Sequence, residues 1–476
     1  MARERSADAV AGERPRREGS SGEPTATSAR LAQLLGEPLT GRVERLSGGA
    51  SRATFAFTTA SRGRLVAQID RRSGRAEGVS MQAALLVAAA RAGVPVARVV
   101  AHGTDDPVLG ASWIVMEAID GTTDPNRILA GEGVPPAGAV LDSIAAALAA
   151  VHRMPADPGL APPVDDPLAR LRETYDALAQ PHPTFELAFR ALGRDRPPAR
   201  RALVHGDFRI GNLMIGAHGV GGVLDWELAH LGDPLEDLGW LCVPAWRFMR
   251  PDLPAAGLGT REQLASAYER HAGVEVDRAA LRRWELAGTL RWGVICVMQA
   301  STHLSGASRS IELAVIGRRA CEVEWDLLEM LDPQPRSAPP PAAPLAKSPP
   351  APHASAHDRP TAVELLEAAR GALGERVLPK LEGRPAFELR VALRALGMVG
   401  RELDRAGEHA AVRASALERL GARDERELAA SIRAGALDGR EAHACAALRE
   451  IVRTKLEVAN PRYLEGAGPR TQKERT

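Results

Sequence analysis

The stretch Leu203-Val204-His205-Gly206-Asp207-Phe208-Arg209-Ile210-Gly211-Asn212-Leu213-Met214-Ile215, followed by Val223-Leu224-Asp225-Trp226-Glu227, decides how the rest of this chain is read. An apolar run leads into His-Gly-Asp. An asparagine stands five residues after that aspartate, and a second apolar run delivers another aspartate. Taken singly, each is an ordinary turn or strand-end residue. Together they place a carboxylate and two oxygen ligands at the ends of short strands. Transfer of a phosphoryl group to an alcohol requires that set. Asp207 would align the acceptor hydroxyl and take its proton, and Asn212 and Asp225 would offer hard oxygen ligands to the Mg2+ that meets the phosphate charge.

Working outward, Arg42–Leu46, Thr54–Thr58 and Arg64–Ile69 have the composition of three consecutive strands, and Ser112–Glu117 of another. Helices are expected at Met81–Ala92 and Val140–His152, and the remainder is mostly helical. Short strands are expected at Ala202–Val204, Leu213–Ile215 and Gly222–Leu224. The fold class is therefore α+β: a β-rich small lobe over residues 31–119 and a helical large lobe over 120–332. Residues 1–30, rich in Arg, Glu, Ser and Gly, read as a disordered tail. Residues 333–356 repeat proline, which fixes φ and removes backbone donors, so an extended linker is expected there. Residues 357–476 read as an all-α domain. Thr361 with Glu364 forms a capping-box pattern, and Phe387–Leu403 and Ala444–Val458 are amphipathic. This last segment ends near Asn460-Pro461-Arg462-Tyr463-Leu464 and carries no catalytic constellation.

The 476 residues carry a net charge of +1, so no global field draws nucleic acid or an anionic membrane. Cys242, Cys296, Cys321 and Cys445 lack paired spacing, which argues against zinc and against a disulfide framework. The N-terminus has no apolar signal stretch, and no later run is long enough to span a bilayer; a cytoplasmic protein is expected.

The Asp-x4-Asn loop followed by a metal-binding aspartate is the arrangement of the protein kinase catalytic loop, here as His-Gly-Asp and Asp-Trp-Glu. The chain resembles the aminoglycoside phosphotransferase and choline kinase family, and especially its branch associated with acyl-CoA dehydrogenases. The likeness also rests on Leu46–Ser51, Gly93–Val96, Val115–Glu117 with Asp120-Gly121, Asp225–Trp240, and the run from Arg291-Trp292 to Arg319. It covers about residues 31–332. The resemblance implies a bilobal protein-kinase-like fold and a small-molecule kinase using ATP and Mg2+. It implies Asp207 as the catalytic base, and Asn212 and Asp225 as metal ligands. Gly48, Gly49 and Ser51 would let backbone amides approach the phosphates, and Glu117 to Ile119 would be the hinge meeting adenine. His205 would brace the loop. Asp233 and Asp237 read as turn and N-cap residues, or as organisers of the segment after the metal site. Trp226 and Trp240 read as core.

One departure stands out. Kinases of this fold place a cation on the third strand and pair it with a glutamate on the next helix. Here the two positions are Gln68 and Gln82, and no lysine precedes Lys347. Losing both charges together avoids an unpaired buried glutamate and leaves two amides able to bond one another. It also leaves the phosphates without a facing charge, unless Arg71 or Arg72 reaches back. Two readings follow: an active kinase for a hydroxyl-bearing metabolite such as a hydroxyacyl-CoA, or a pseudokinase that binds a nucleotide, metabolite or protein without phosphotransfer. Residues 357–476 are expected to serve a protein partner or self-association.

Overall fold

The computed structural model describes residues 23–48, 52–70, 76–194, 200–333 and 360–465. The chain divides into two compact units, one of Met1–Ala83 with Arg98–Ala118 and one of Ala84–Ala97 with Ile119–Thr476.

The first unit holds helix α1 (Glu23–Leu35) and strands β1 (Glu44–Gly48), β2 (Arg52–Thr59), β3 (Gly63–Asp70), β4 (Val99–Asp106) and β5 (Ala111–Glu117). They form an antiparallel sheet in the order β1-β2-β3-β5-β4. Alternation sets the buried face: Leu65, Ala67 and Ile69 of β3 pack with Phe55, Phe57, Trp113 and Val115. Leu31 of α1 is part of the same core, with Leu34 and Leu35 against it. The tail expected over 1–30 is thus corrected: residues 23–30 are the first turns of α1. Their anchor is Arg30, whose guanidinium donates to buried Asp106 at 2.6 and 3.0 Å. Strand β4 was not expected, because Val99–Asp106 contains Gly, His and two Asp, all poor strand formers. Gly103 is there because a Cβ would press on the indole of Trp113, at 2.9 Å from Nε1.

Helix α2 (Ala76–Arg91) follows β3, and the second unit contains the remaining elements. These include α3 (Pro125–Ala130), α4 (Ala137–His152), α5 (Pro167–Leu178), α6 (Pro183–Gly193) and α7 (Leu235–Leu241). Then come α8 (Arg261–Ala272), α9 (Arg278–Leu304), α10 (Ile311–Gly317) and α11 (Ala320–Leu331). Strand β6 (Ala202–Val204) pairs with β9 (His230–Gly232), and β7 (Leu213–Gly216) forms a hairpin with β8 (Gly219–Val223). Helix α4 is central: Val140, Leu141, Ile144, Leu148 and Val151 are all buried. The long α9 starts at Asp277, whose carboxylate caps the amides of Ala279 and Ala280.

The C-terminal helices are α12 (Ala362–Ala372), α13 (Gly383–Arg419), α14 (Glu425–Arg433) and α15 (Glu441–Ala459). The expected capping box opens α12. These helices do not stand apart. Leu417, Leu428, Ile432, Leu448 and Ile451 share one core with Leu187 of α6 and Cys321 and Leu328 of α11. A buried ionic group crosses the same seam: Glu324 of α11 meets His182 Nδ1 at 3.1 Å and Lys455 Nζ at 3.3 Å. Burial pushes the Glu324 carboxyl up, but Lys455 and His182 outweigh it and hold the group at about 2. The proline-rich segment lies outside the described residues from position 334 on. Among the described residues no helix is long and apolar enough to cross a membrane.

Candidate functional site

Strand β6 runs into His205 and Gly206, and both backbone amides donate to one buried carboxylate, that of Asp237 on α7, at 2.7 and 2.9 Å. Asp237 also receives His152 Nε2 from α4 at 3.2 Å. Burial pushes this carboxyl up, yet His152 and His205 win and hold it below its ordinary value. Asp237 is therefore neither a turn residue nor a cap: it reaches back and ties down the loop that begins at residue 205. Gly206 turns with φ +80°, and a Cβ there would overlap the carbonyl of Leu228. That is why glycine stands between the histidine and the aspartate.

His205 is fully buried. Its Nδ1 accepts from the amide of Asp207 at 3.2 Å, so Nε2 carries the proton and donates to the carbonyl of Leu224 at 2.9 Å. Burial pushes the imidazole down, against the pull of Asp237, Asp207 and Asp225, which leaves it neutral. His205 thereby joins the loop to the end of β8, the bracing role expected of it.

The loop places Asp207 half-buried at its tip. Asn212, on the 3-10 turn Ile210–Asn212, donates Nδ2 to the Asp207 carboxylate at 2.6 Å and to its carbonyl at 3.0 Å. The backbone of Asn212 accepts from the amide of Leu224 at 2.8 Å. The next residue, Asp225, is exposed at the strand exit with φ +60°, a left-handed conformation rare outside glycine. Asp207, Asn212 and the strand end that carries Asp225 thus form one hydrogen-bonded group.

Two further side chains hold Asp207. Arg209 Nε lies 3.2 and 3.3 Å from its two oxygens, and the indole N–H of Trp240 donates at 2.8 Å. Trp240 is core, as expected, with 2 % exposure, but its nitrogen serves the loop as well. Sequence reasoning passed over Arg209, although its position two residues after Asp207 was a usable signal. Asp233 is the turn residue expected, accepting from the amide of Leu235 at 2.9 Å. Trp226 is buried and donates to the carbonyl of Val223 at 3.0 Å.

The expected nucleotide residues lie mostly in the first unit. Gly48 ends β1, while Gly49, Ser51, Arg71 and Arg72 fall outside the described residues. Gln68 is half-buried on β3, paired in register with Ile114 of β5. Its Oε1 is buried and accepts no hydrogen bond, so the amide pairing expected with Gln82 does not use that oxygen. Gln82 is buried on α2. The Glu117 carboxylate is taken by Arg98, Nε at 2.9 Å. The amides of Glu117 and Ala118 already bond Arg98 and Arg64, at 2.9 and 3.0 Å. Ile119 lies against Gly221 and Gly222 of β8, where a side chain on Gly222 would overlap it.

Among the described residues no group of three or more His, Cys, Asp or Glu is placed to hold a metal ion. An amide oxygen and one carboxylate still suit Mg2+, which takes one or two protein oxygens and completes its shell with phosphates and water. The bond from Asn212 Nδ2 to Asp207 fits that use, since it leaves the amide oxygen as the end able to meet a cation.

Residues 42–274 match the phosphotransferase enzyme family, and residues 379–463 match a domain of unknown function, DUF6285. Acyl-CoA dehydrogenase family member 10 of Mus musculus is 28 % identical over 273 residues. The match takes in 51 % of this chain but only 25 % of the mouse protein, so the chain spans about a quarter of the length of that curated relative. A solved candidate aminoglycoside phosphotransferase from Ralstonia eutropha JMP134 superposes with a TM-score of 0.52 at 22 % identity, covering 64 % of this chain and 97 % of its own. The chain thus has the kinase-like α+β fold of that solved structure; residues 42–274 are similar to the phosphotransferase enzyme family, and the helical segment over 379–463 to a domain of unknown function.

Proposed function

We propose that this chain transfers the γ-phosphate of ATP to a hydroxyl of a small metabolite. The observation that supports this is the hydrogen-bonded group of Asp207, Asn212 and the strand end bearing Asp225. In the reaction the acceptor oxygen forms a bond to the γ-phosphorus while the bond to the β-bridging oxygen breaks, releasing ADP. Asp207 orients the hydroxyl and takes its proton. Asn212 and Asp225 would hold Mg2+, which would supply neutralisation of the phosphate charge. Trp240 and Asn212 fix the carboxylate so that one rotamer faces the acceptor.

A hydroxyacyl-CoA is the acceptor class we favour. The curated relative is named for acyl-CoA chemistry. A cavity of about 220 Å³ borders Trp240 and is walled by Leu168, Leu171, Leu192 and Ala287, which suits an acyl chain. Of its four acids, Asp165 lies 3.6 Å from Arg201, Asp166 caps α5, Asp233 holds its turn and Glu236 pairs with Arg291, so the wall offers little to a polycationic acceptor. One observation favours a second reading, a pseudokinase. Gln68 sets a neutral amide with an unpartnered oxygen where the fold usually sets a cation.

Incubation with ATP, Mg2+ and a panel of hydroxyacyl-CoA thioesters, choline and aminoglycosides separates the two. Turnover on a thioester that falls ~10²–10⁴-fold in Asp207→Ala, with ATP affinity retained, is the expected result. Nucleotide binding without turnover on any acceptor would establish the pseudokinase.

A further inference from the structure

The closing turn of the C-terminal domain, Asn460–Leu464, has no role in the mechanism above, yet a continuous set of contacts runs from it to Asp207. Asn460 donates Nδ2 to Glu322 of α11 at 2.8 Å. The other oxygen of Glu322 receives Arg319 Nε at 2.9 Å. Arg319 lies over the ring of Trp292 at 5.5 Å, and Trp292 packs on Trp246 at 5.0 Å. From Trp246 the set divides. One branch is Arg209, whose guanidinium lies 5.1 Å from the Trp246 ring. The other is Trp240, in edge contact with Trp246 at 5.5 Å. Both branches end on the Asp207 carboxylate. A second bond from the same turn steadies α11: Tyr463 donates its hydroxyl to Asp326, with oxygens at 2.7 and 2.9 Å.

Each contact limits the freedom of the next. Indoles and guanidiniums packed edge-on or tilted at these distances have few alternative rotamers, and each contact contributes on its own. Arg209 is the vulnerable member. Its side chain is long, and off the Trp246 face it would recover rotamer entropy and leave Asp207. Glu322 matters because it holds Arg319 over Trp292, and Asn460 because it fixes the second oxygen of that carboxylate.

We propose that the C-terminal domain is a positioning element of the catalytic loop. It acts through Asn460, Glu322, Arg319 and the Trp292–Trp246 pair to hold Arg209 and Trp240 against Asp207. The domain of unknown function is then part of the kinase unit rather than an appended partner-binding module. The kinetic arm of its test rests on the function proposed above, and the exchange arm does not.

Hydrogen exchange of the full chain, read by mass spectrometry over residues 203–213, compares Asn460→Ala and Tyr463→Phe with Asp438→Ala. Asp438 also joins the C-terminal domain to α6, through Arg190, but lies outside the set. Loop exchange about tenfold faster in Asn460→Ala and in Tyr463→Phe, unchanged in Asp438→Ala, is the expected result. Asn460→Gln, which keeps the amide donor, restores the wild-type rate. Loop exchange that is unchanged in both variants, or raised equally in Asp438→Ala, overturns the proposal. If one variant does not fold, the other decides. In turnover, Asn460→Ala lowers kcat several-fold with KM for ATP unchanged, and its added loss on top of Arg209→Ala is smaller than its loss alone. Additive losses would overturn the coupling. A wild-type chain with no turnover would defeat the proposed reaction, and the exchange result alone would then decide the positioning role.

Discussion

Replacing Asp237 by asparagine isolates the group that ties the catalytic loop to the helical core. The carboxylate has no exposed surface and accepts three donors: the amides of His205 and Gly206 and the imidazole of His152. Asparagine keeps one acceptor oxygen and turns an NH2 toward a donor, so at least one buried N–H loses its partner. An unpaired buried donor costs about 1–3 kcal/mol, and losing one partner of a buried charge-assisted group raises the total to about 3–5 kcal/mol. In a unit this large each kcal/mol moves the melting temperature by ~2 °C or less, so calorimetry should report a fall of ~5–10 °C. The pH dependence has a definite sign. The folded carboxyl lies below its ordinary 3.8, so its contribution is complete above that value and is lost as pH falls through the lowered one. The gap between wild type and variant is therefore constant from neutral pH down to about 5 and closes in stronger acid. A melting temperature within ~1 °C of wild type at pH 7, or a gap that widens in acid, would refute the reasoning.

Gly206→Ala forces a Cβ into the carbonyl of Leu228 at a left-handed φ, so the loop must shift while the helical core stays intact. Turnover should fall on the order of 10²-fold with only a few degrees lost in melting temperature, and unchanged turnover would show that the turn has slack. Lys455→Met removes the ammonium that, with His182, holds Glu324 at about 2 instead of 4.5. That displacement corresponds to ~3 kcal/mol, taken toward the lower end because Lys455 keeps 30 % of its side-chain surface exposed. The stabilisation is complete above pH 4.5 and lost as pH falls to about 2, so a calorimetric scan at pH 7 should show a drop of several degrees that vanishes near pH 2.

The parts of this fold that were legible in the sequence are those set by neighbours in the chain. His205, Asp207 and Asn212 fall within eight residues, and their bonds to one another are consequences of that spacing. The capping box at Thr361 was legible for the same reason. Strand β4 and helix α1 were not, since their stability comes from Trp113 lying on Gly103 and from Arg30 meeting Asp106 across the unit. Asp237 and Trp240 carry a sharper lesson. Both residues were noticed, and the plain readings of cap and core described their surroundings without their partners. A carboxylate that bonds amides 31 and 32 positions earlier leaves no periodic mark. The converse holds at Gln68. Its identity was legible at once as a missing cation, yet its meaning depends on which charge substitutes for it. Arg209, within the second unit, already lies on Asp207, and its guanidinium is answered there by that carboxylate.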